Sequence, residues 1–365
     1  MTTLAEELRA IGQAAGLTAV GFARAERFEA TREVLETRKT AGLAAGMQFT
    51  YRNPARSTDP SRILTGARTL VVGARRYATA APRSPLDQPH GRVAAYARID
   101  HYADLRAGLD TIANRLRADG ATARVVADDN ALVDREAAVR AGIGWYGKNT
   151  NVLLPGEGSW FVLGAVVTDA EIAPDRPVET DCGSCTRCLT ACPTDAIIAP
   201  GVLDARRCLA WLVQAPGEIP RQYRVAMGDR IYGCDDCQDV CPPNRRTTIG
   251  APTGDATGSG PWIPLLDLLE ADDDEVMRRA GRWYVAERDP RHVRRNALVV
   301  IGNVGRADDP RVVAVLRAHI AGPDDLVAAH AAWAARRLGL DHLCDIEDPG
   351  PLLRAELAAE TPDLR

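Results

Sequence analysis

The stretch Cys182-Gly-Ser-Cys185-Thr-Arg-Cys188-Leu-Thr-Ala-Cys192-Pro193 decides how this chain is organised. Its spacing, C-x2-C-x2-C-x3-C-P, is one that holds cubane iron–sulfur clusters. Cys208 follows alone, and then comes Cys234-Asp-Asp-Cys237-Gln-Asp-Val-Cys241-Pro242. These runs use eight of the nine cysteines, which is enough thiolate for two [4Fe–4S] clusters. Two-residue gaps let successive thiolates close on one cubane from a tight loop, and the Cys-Pro step sends the fourth cysteine towards a second cubane. The expected sets are Cys182, Cys185, Cys188 and Cys241 for one cluster, and Cys192, Cys208, Cys234 and Cys237 for the other. Structural zinc is the plainer alternative, but it needs only four ligands and gives no reason for two Cys-Pro endings. Disulfides suit small secreted scaffolds, not a chain of 365 residues. Cys344 lies outside both sets and reads as a buried thiol.

A length of 365 residues suggests two or three domains, and a 46% hydrophobic fraction supports a sizeable core. With only four Phe and four Met, that core must be mostly Ala, Val and Leu. The N-terminus, Met1-Thr-Thr-Leu-Ala-Glu-Glu-Leu8, has no apolar core of signal length, and no window reaches the length of a membrane span. Cysteines that must stay reduced to hold clusters point to the cytoplasm. A net charge of −4 does not advertise a nucleic-acid binder. The arginines are nevertheless uneven: Arg278, Arg279, Arg282, Arg288, Arg291, Arg294 and Arg295 crowd one region, which could equally be a solvated helix face.

Outward from the cysteines, the hydrophobic pattern divides the chain into three parts. Residues 1–175 read as mixed α and β. Helices are expected over 3–16, 26–46, 100–118 and 134–141, and strands over 18–22, 69–74, 93–97, 123–127 and 161–167. A proline-marked linker, Ala173-Pro-Asp-Arg-Pro177, leads to a two-cluster, ferredoxin-like domain at 176–250. After a polar, Gly-rich linker, residues 260–365 read as helices with Asp-Pro starts and Gly stops, like a short HEAT-type repeat. The expected class is therefore α+β, with an inserted cluster domain and an all-α C-terminal domain.

Clusters move electrons but do not transform most substrates, so the first domain must supply chemistry. It shows no G-x-G-x-x-G after a strand and no Walker A motif. It does offer Gly142-Ile-Gly-Trp-Tyr-Gly147, whose glycines allow close backbone approach. It also places Asp128 and Asp129 at a strand end. An aspartate there can be a proton donor or can cap the helix that starts at Asp134.

The whole pattern resembles the epoxyqueuosine reductase family, cobalamin-dependent enzymes of queuosine synthesis in tRNA. Asp128-Asp-Asn-Ala-Leu-Val-Asp-Arg135 follows the family's Asp-x5-(Glu/Asp)-Arg segment. Ala141-Gly-Ile-Gly-Trp-Tyr-Gly-Lys148, Gly158-Ser-Trp-Phe-Val-Leu-Gly164 and Asp204-Ala-Arg-Arg-Cys208 agree with it as well. Met227-Gly-Asp-Arg-Ile-Tyr-Gly-Cys-Asp-Asp-Cys-Gln-Asp-Val-Cys-Pro242 is the most diagnostic stretch, and Arg295-Asn-Ala and Ala331-Ala-Trp333 echo the family's helical repeat. The resemblance implies that a cobalamin is held in the first domain without a histidine on cobalt, and that two [4Fe–4S] clusters feed it. It implies reduction of epoxyqueuosine at the tRNA wobble base, with Asp128 as proton donor. Asp129 stays open as the alternative acid. The implied cofactor contacts are Arg52, His101, Tyr102, Asp128, Lys148, Asn149, Val152 and Leu163. Arg291, Arg294 and Arg295 are the expected tRNA contacts. The expected partners are the tRNA and an electron donor that the sequence does not identify, and the expected state is a monomer.

Two other readings compete. A corrinoid reductive dehalogenase also joins cobalamin to two clusters, but typically carries a twin-arginine export signal that is not seen here. An electron-transfer module would need no such large first domain.

Overall fold

The computed structural model describes residues 3–77, 83–85, 87–246 and 260–360. The chain forms two compact units. One comprises Met1–Ala80, Asp100–Arg206 and Asp236–Pro252; the other comprises Ala81–Ile99, Arg207–Asp235 and Thr253–Arg365. The residues expected to form the cluster domain are thus shared between the units. The expected Gly-rich linker falls largely at 247–259, outside the described residues.

The first unit is built on a four-stranded sheet of β1 (Ala19–Arg24), β2 (Thr69–Arg76), β3 (Ala123–Ala127) and β4 (Phe161–Thr168), in the order β1-β2-β4-β3. Every pairing is antiparallel, with Val72 opposite Ala165 and Val125 opposite Val166. Two central strands buried on both faces explain why Leu70-Val-Val-Gly-Ala74 reads as one continuous apolar run. Alternation then sorts the side chains. Leu70, Val72, Ala74, Leu163, Ala165 and Val167 join Phe28, Leu132 and Ala137 in one core cluster. Helices Leu4–Ala14 and His101–Ala118 pack on the sheet as well. The first helix is fixed by a capping box in which Thr3 and Glu6 bond each other's backbone N–H.

Two expectations need correction. The segment expected as a strand over 93–97 is a strand only at His90–Val93, followed by a 3-10 turn at Ala95–Ala97. The helix expected over 26–46 ends at Thr40 and gives way to turns. Gly42 and Gly46, both with positive φ, supply the break.

The second unit holds a small sheet with His90–Val93 at its centre, parallel to Arg230–Tyr232 and antiparallel to Trp262–Pro264. Against it stands the helix Pro290–Val304, and the helices Pro310–Ile320, Asp325–Arg337 and Pro351–Ala358 build outward from there. The Asp-Pro starts work as the sequence suggests. Asp289 accepts from the N–H of Arg291, and Asp309 from those of Arg311 and Val312, while proline sits where no amide partner is needed. Trp333 is the largest buried side chain of this core.

That core contains a buried ion pair. Glu356, 3% exposed, accepts from Arg224 (2.9 Å) and from Arg221 (3.1 Å). Burial pushes the Glu356 carboxyl up and the Arg224 guanidinium down, so desolvation outweighs mutual attraction on both sides. Removing one partner should therefore hurt more than the pair contributes. Glu356→Ala leaves the buried Arg224 charge with the half-exposed Glu218 at 3.7 Å and the Ile219 carbonyl at 2.8 Å, and is expected to cost about 3–5 kcal/mol in denaturant unfolding. An unchanged midpoint would contradict this.

Candidate functional site

The cysteines come first. Cys182, Cys185, Cys188 and Cys241 lie close enough that each thiolate's charge opposes the next. Burial, and then these neighbours, push the Cys241 thiol up to about 11. Crowded thiols that resist ionising alone are what a cationic iron cluster would neutralise, so the donor set fits one [4Fe–4S] cubane. Among the described residues no three side chains converge as a single-ion site requires, and a cubane does not ask for that, since each thiolate takes a different iron. Of the second expected set, Cys192 and Cys237 fall in the first unit, and Cys208 and Cys234 in the second. Cys192 Sγ accepts from the N–H of Ala196 at 3.2 Å.

The glycine and serine motifs of the first unit prove to be supports for these loops. Lys148 Nζ donates to the carbonyls of Gly183 (2.6 Å) and Cys185 (2.9 Å), inside the first cluster loop. Asn149 is buried and donates to the Cys237 carbonyl at 3.3 Å. Ser159 N–H donates to Asn244 Oδ1 (2.6 Å), and Gln238 Nε2 donates to the Ser159 carbonyl (3.0 Å). Gly158 has φ +79°, and a Cβ there would stand 2.0 Å from Asn244. A Cβ on Gly144 would stand 2.2 Å from the Leu153 carbonyl. The close approach that glycine permits is thus to the protein's own chain, the Leu153 carbonyl at Gly144 and the Asn244 side chain at Gly158, and the latter braces the stretch Gln238 to Asn244 around Cys241.

The Lys148 contact carries a prediction. Lys148→Met removes two bonds and one positive charge beside the cluster loop, and net charge near a cluster sets its potential. The midpoint of that cluster in an EPR-monitored redox titration should move to a more negative potential. A shift the other way would rule out the electrostatic role.

Asp128 ends β3 with φ +53°, in the left-handed region that non-glycine residues enter only at a cost and that clusters at active sites. It does not cap the next helix: Val133 holds the N-cap position of Asp134–Arg140 without a side-chain bond. Instead Asp128 shares its surroundings with Asp134 and Tyr102. Burial pushes the Asp134 carboxyl up, and the charge of Asp128 adds to this, while Arg135 opposes it. Burial also raises the Tyr102 phenol, helped by Asp134 and then Asp128. Arg135 Nη1 is anchored on the Thr150 carbonyl (3.0 Å), and Arg106 Nη2 on that of Ala127 (2.6 Å). The Asp-x5-Asp-Arg spacing therefore has a physical meaning, since it folds both acids and the arginine into one cluster. Asp129 is used differently: its carboxylate accepts from the N–H of Ala131 (2.8 Å) and closes the turn.

The other expected cofactor contacts divide. Val152 and Leu163 belong to the sheet core. His101 is buried, with its ring 5.6 Å from that of Tyr77. Arg52 is exposed at the end of the short helix Phe49–Arg52. Lys148 and Asn149 already hold cluster loops. Of the expected contacts, Tyr102 and Asp128 are the two that the structure brings together, beside Asp134.

These features gain a context from known proteins. A model described as a 4Fe-4S double cluster binding domain matches residues 181–244. The epoxyqueuosine reductase of Bacillus anthracis is 31% identical across 93% of this chain and 90% of its own. That of Xanthomonas campestris is 33% identical, across 93% and 97%. The chain belongs to the epoxyqueuosine reductase family. Its fold agrees: the family member from Streptococcus thermophilus superposes with a TM-score of 0.86 at 28% identity, over 96% of both chains. An epoxyqueuosine reductase crystallised with an epoxyqueuosine-modified tRNA-Tyr stem loop superposes with 0.85 at 29% identity, again over 96% of both. Within this family the mixed α and β architecture and the iron–sulfur-dependent oxidoreductase chemistry are shared ground.

The expected RNA contacts all lie in the second unit. A cleft of about 750 Å³ is lined by Arg288, Arg291, Arg294 and His319 together with Asp273, Glu287, Asp289 and Asp324. Arg291 is exposed and bonds Asp289 at 2.6 Å; Arg294 bonds Asp273 and the Ala271 carbonyl. Arg295 is different. It is fully buried, and its guanidinium donates to the carbonyls of Ala215 (2.8 Å), Gly217 and Leu212 (3.2 Å) and to Asn296. A guanidinium used in this way ties the helix Pro290–Val304 to residues 212–217 and has no N–H left for a phosphate. Charge alone could not separate it from its neighbours. Its place on one helix face with the buried Leu298 and Val299, three and four positions on, is the available signal.

Proposed function

We propose that this chain reduces epoxyqueuosine to queuosine at the wobble position of tRNA. What supports this reading is the near full-length agreement with epoxyqueuosine reductases in both sequence and fold, together with a double-cluster match over residues 181–244. The reaction adds two electrons and two protons, opens the epoxide and releases its oxygen as water, leaving a cyclopentene.

A bound corrinoid would supply the strongly reducing cobalt that no side chain can provide. The chain's own residues bind, orient and protonate. Asp128 delivers a proton to the departing epoxide oxygen. Asp134 and Tyr102 stand beside it, and burial, helped by the charge of Asp128, raises the Asp134 carboxyl. Cys182, Cys185, Cys188 and Cys241 hold one [4Fe–4S] cluster, and Cys192, Cys208, Cys234 and Cys237 the second. Arg52, His101 and Tyr102 are the cofactor contacts we retain, with the backbone of 148–153. The helices from Pro290 onward form a HEAT-like module in which Arg291 and Arg294 meet tRNA phosphates, contacts that position RNA without reading its sequence. A local patch of this kind is compatible with a net charge of −4.

Complementation tests this directly. In a bacterial strain that makes epoxyqueuosine but lacks its own reductase, expression of this chain should convert the epoxyqueuosine in tRNA hydrolysates to queuosine. Persisting epoxyqueuosine with soluble, cluster-loaded protein would overturn the reading.

A further inference from the structure

We propose that Tyr284 is a stacking platform for one unpaired base of the RNA substrate, presented by a loop built to hold it still. The inference rests on the tRNA reading above and names a contact which that reading does not contain.

Tyr284 is 54% exposed, while its neighbours Trp283 and Val285 are 4% and 5% exposed. Single exposed aromatics are common and need no explanation on their own. What sets this one apart is how its backbone is held. The Tyr232 hydroxyl accepts from the Tyr284 N–H (2.7 Å) and donates to the Tyr284 carbonyl (3.2 Å). Both backbone groups of the exposed residue are thus bonded to one buried phenol. The Tyr232 ring is itself stacked on Trp283, with centroids 4.4 Å apart and planes 8° from parallel. Trp283 Nε1 is fixed on the Ala97 carbonyl (3.3 Å). The residues on either side point inward, so the Tyr284 ring stands out from a rigid base.

Two arginines, one on either side, flank it in the loop sequence, with acids such as Glu287 among them. Arg282 is exposed. Arg288 reaches back across the loop and donates to the carbonyls of Trp283 (2.9 Å) and Gly281 (3.3 Å). To do so, Glu287 and Arg288 both adopt left-handed φ, +56° and +55°. Two successive non-glycine residues in that region are costly and persist only where the surrounding structure holds them. Arg288 also lines the cleft that contains Arg291 and Arg294. An exposed aromatic ring between arginines, on a backbone that cannot yield, is what binds a nucleobase face. The ring offers stacking that any base can use, the guanidinium groups attract the adjoining phosphates, and little order is lost on binding.

The test uses the full-length, cluster-loaded protein and an unmodified anticodon stem-loop RNA carrying 2-aminopurine at each loop position in turn. A blunt RNA duplex serves as the control. Parent protein should bind the stem-loop and quench one 2-aminopurine position by stacking. Tyr284→Ala should bind about 5- to 100-fold more weakly and lose that quenching, with the salt dependence of binding unchanged. Tyr284→Phe, which keeps the ring face, should stay within about twofold of the parent. Equal losses on stem-loop and duplex would overturn the proposal, because the contact would then be to the backbone. Tyr284→Ala binding as well as the parent, with quenching intact, would also overturn it while leaving the tRNA reading in place. A parent protein that binds no stem-loop at all would overturn both.

Discussion

Asp128→Asn should lower turnover of epoxyqueuosine tRNA by about 10²- to 10⁴-fold, the usual contribution of a positioned general acid, with cluster spectra and RNA affinity unchanged. The reasoning begins in the backbone. Asp128 is exposed and holds a left-handed φ at the tip of β3, where its charge acts on the partly buried Asp134 and Tyr102. Asparagine keeps the shape and tolerates the same φ, so the loss is chemical and not a folding defect. Asp129→Asn is the matched control. Its carboxylate closes a turn on Ala131, and an asparagine side-chain carbonyl can accept that bond, so turnover should stay within a few-fold. The pH profile adds an independent readout. A donor must be protonated to act, so the parent rate should fall as pH rises through the acid's titration, and that limb should vanish in Asp128→Asn. A large loss in Asp129→Asn with none in Asp128→Asn would reverse the assignment.

Cys241→Ser should remove one cluster and with it the reductive half of the reaction. Cys241 stands among Cys182, Cys185 and Cys188 although more than fifty positions separate it from them. Its loop is braced by Asn244, Ser159 and Gln238, so loss of the thiolate leaves the surrounding bonds in place. Iron and sulfide content should drop towards half of the parent value, and turnover with any external reductant should fall to background. Cys344→Ser is the control. Burial pushes the Cys344 thiol up to about 11, it faces the Ala332 carbonyl, and no other cysteine is among the groups that shift it; iron content and rate should not change. Full iron content in Cys241→Ser would move the fourth ligand elsewhere.

The parts of this protein most legible in sequence were those whose signal is local. The cysteine spacing gave the first cluster loop, because two-residue gaps have few other uses. Continuous apolar runs gave β2 and β4, since strands buried on both faces need no polar alternation. Asp-Pro pairs gave the starts of the C-terminal helices at Pro290 and Pro310, where caps act within one turn. What escaped was non-local. Nothing near Gly144 or Gly158 in sequence says that the groups they admit are the Leu153 carbonyl and the Asn244 side chain. Lys148 looked like a ligand-facing cation, and only the fold shows it gripping the loop at Gly183 and Cys185. Arg295 sat in a basic stretch whose charge count is the same whether a guanidinium faces solvent or four backbone carbonyls. Nothing in the sequence marks Tyr284, because its exposure and the clamp from Tyr232, 52 positions away, exist only in three dimensions.

The central claim is that this chain carries out a reductive deoxygenation on tRNA, and one measurement addresses it most directly. Purified protein with both clusters loaded would be incubated without oxygen with cobalamin, a strong reductant and tRNA bearing epoxyqueuosine, and the nucleosides would be separated and weighed by mass spectrometry. The account predicts queuosine, lighter than the starting nucleoside by one oxygen atom, accumulating with time and dependent on both cobalamin and reductant. Epoxyqueuosine recovered unchanged, from protein shown to hold its clusters and cobalamin, would contradict it.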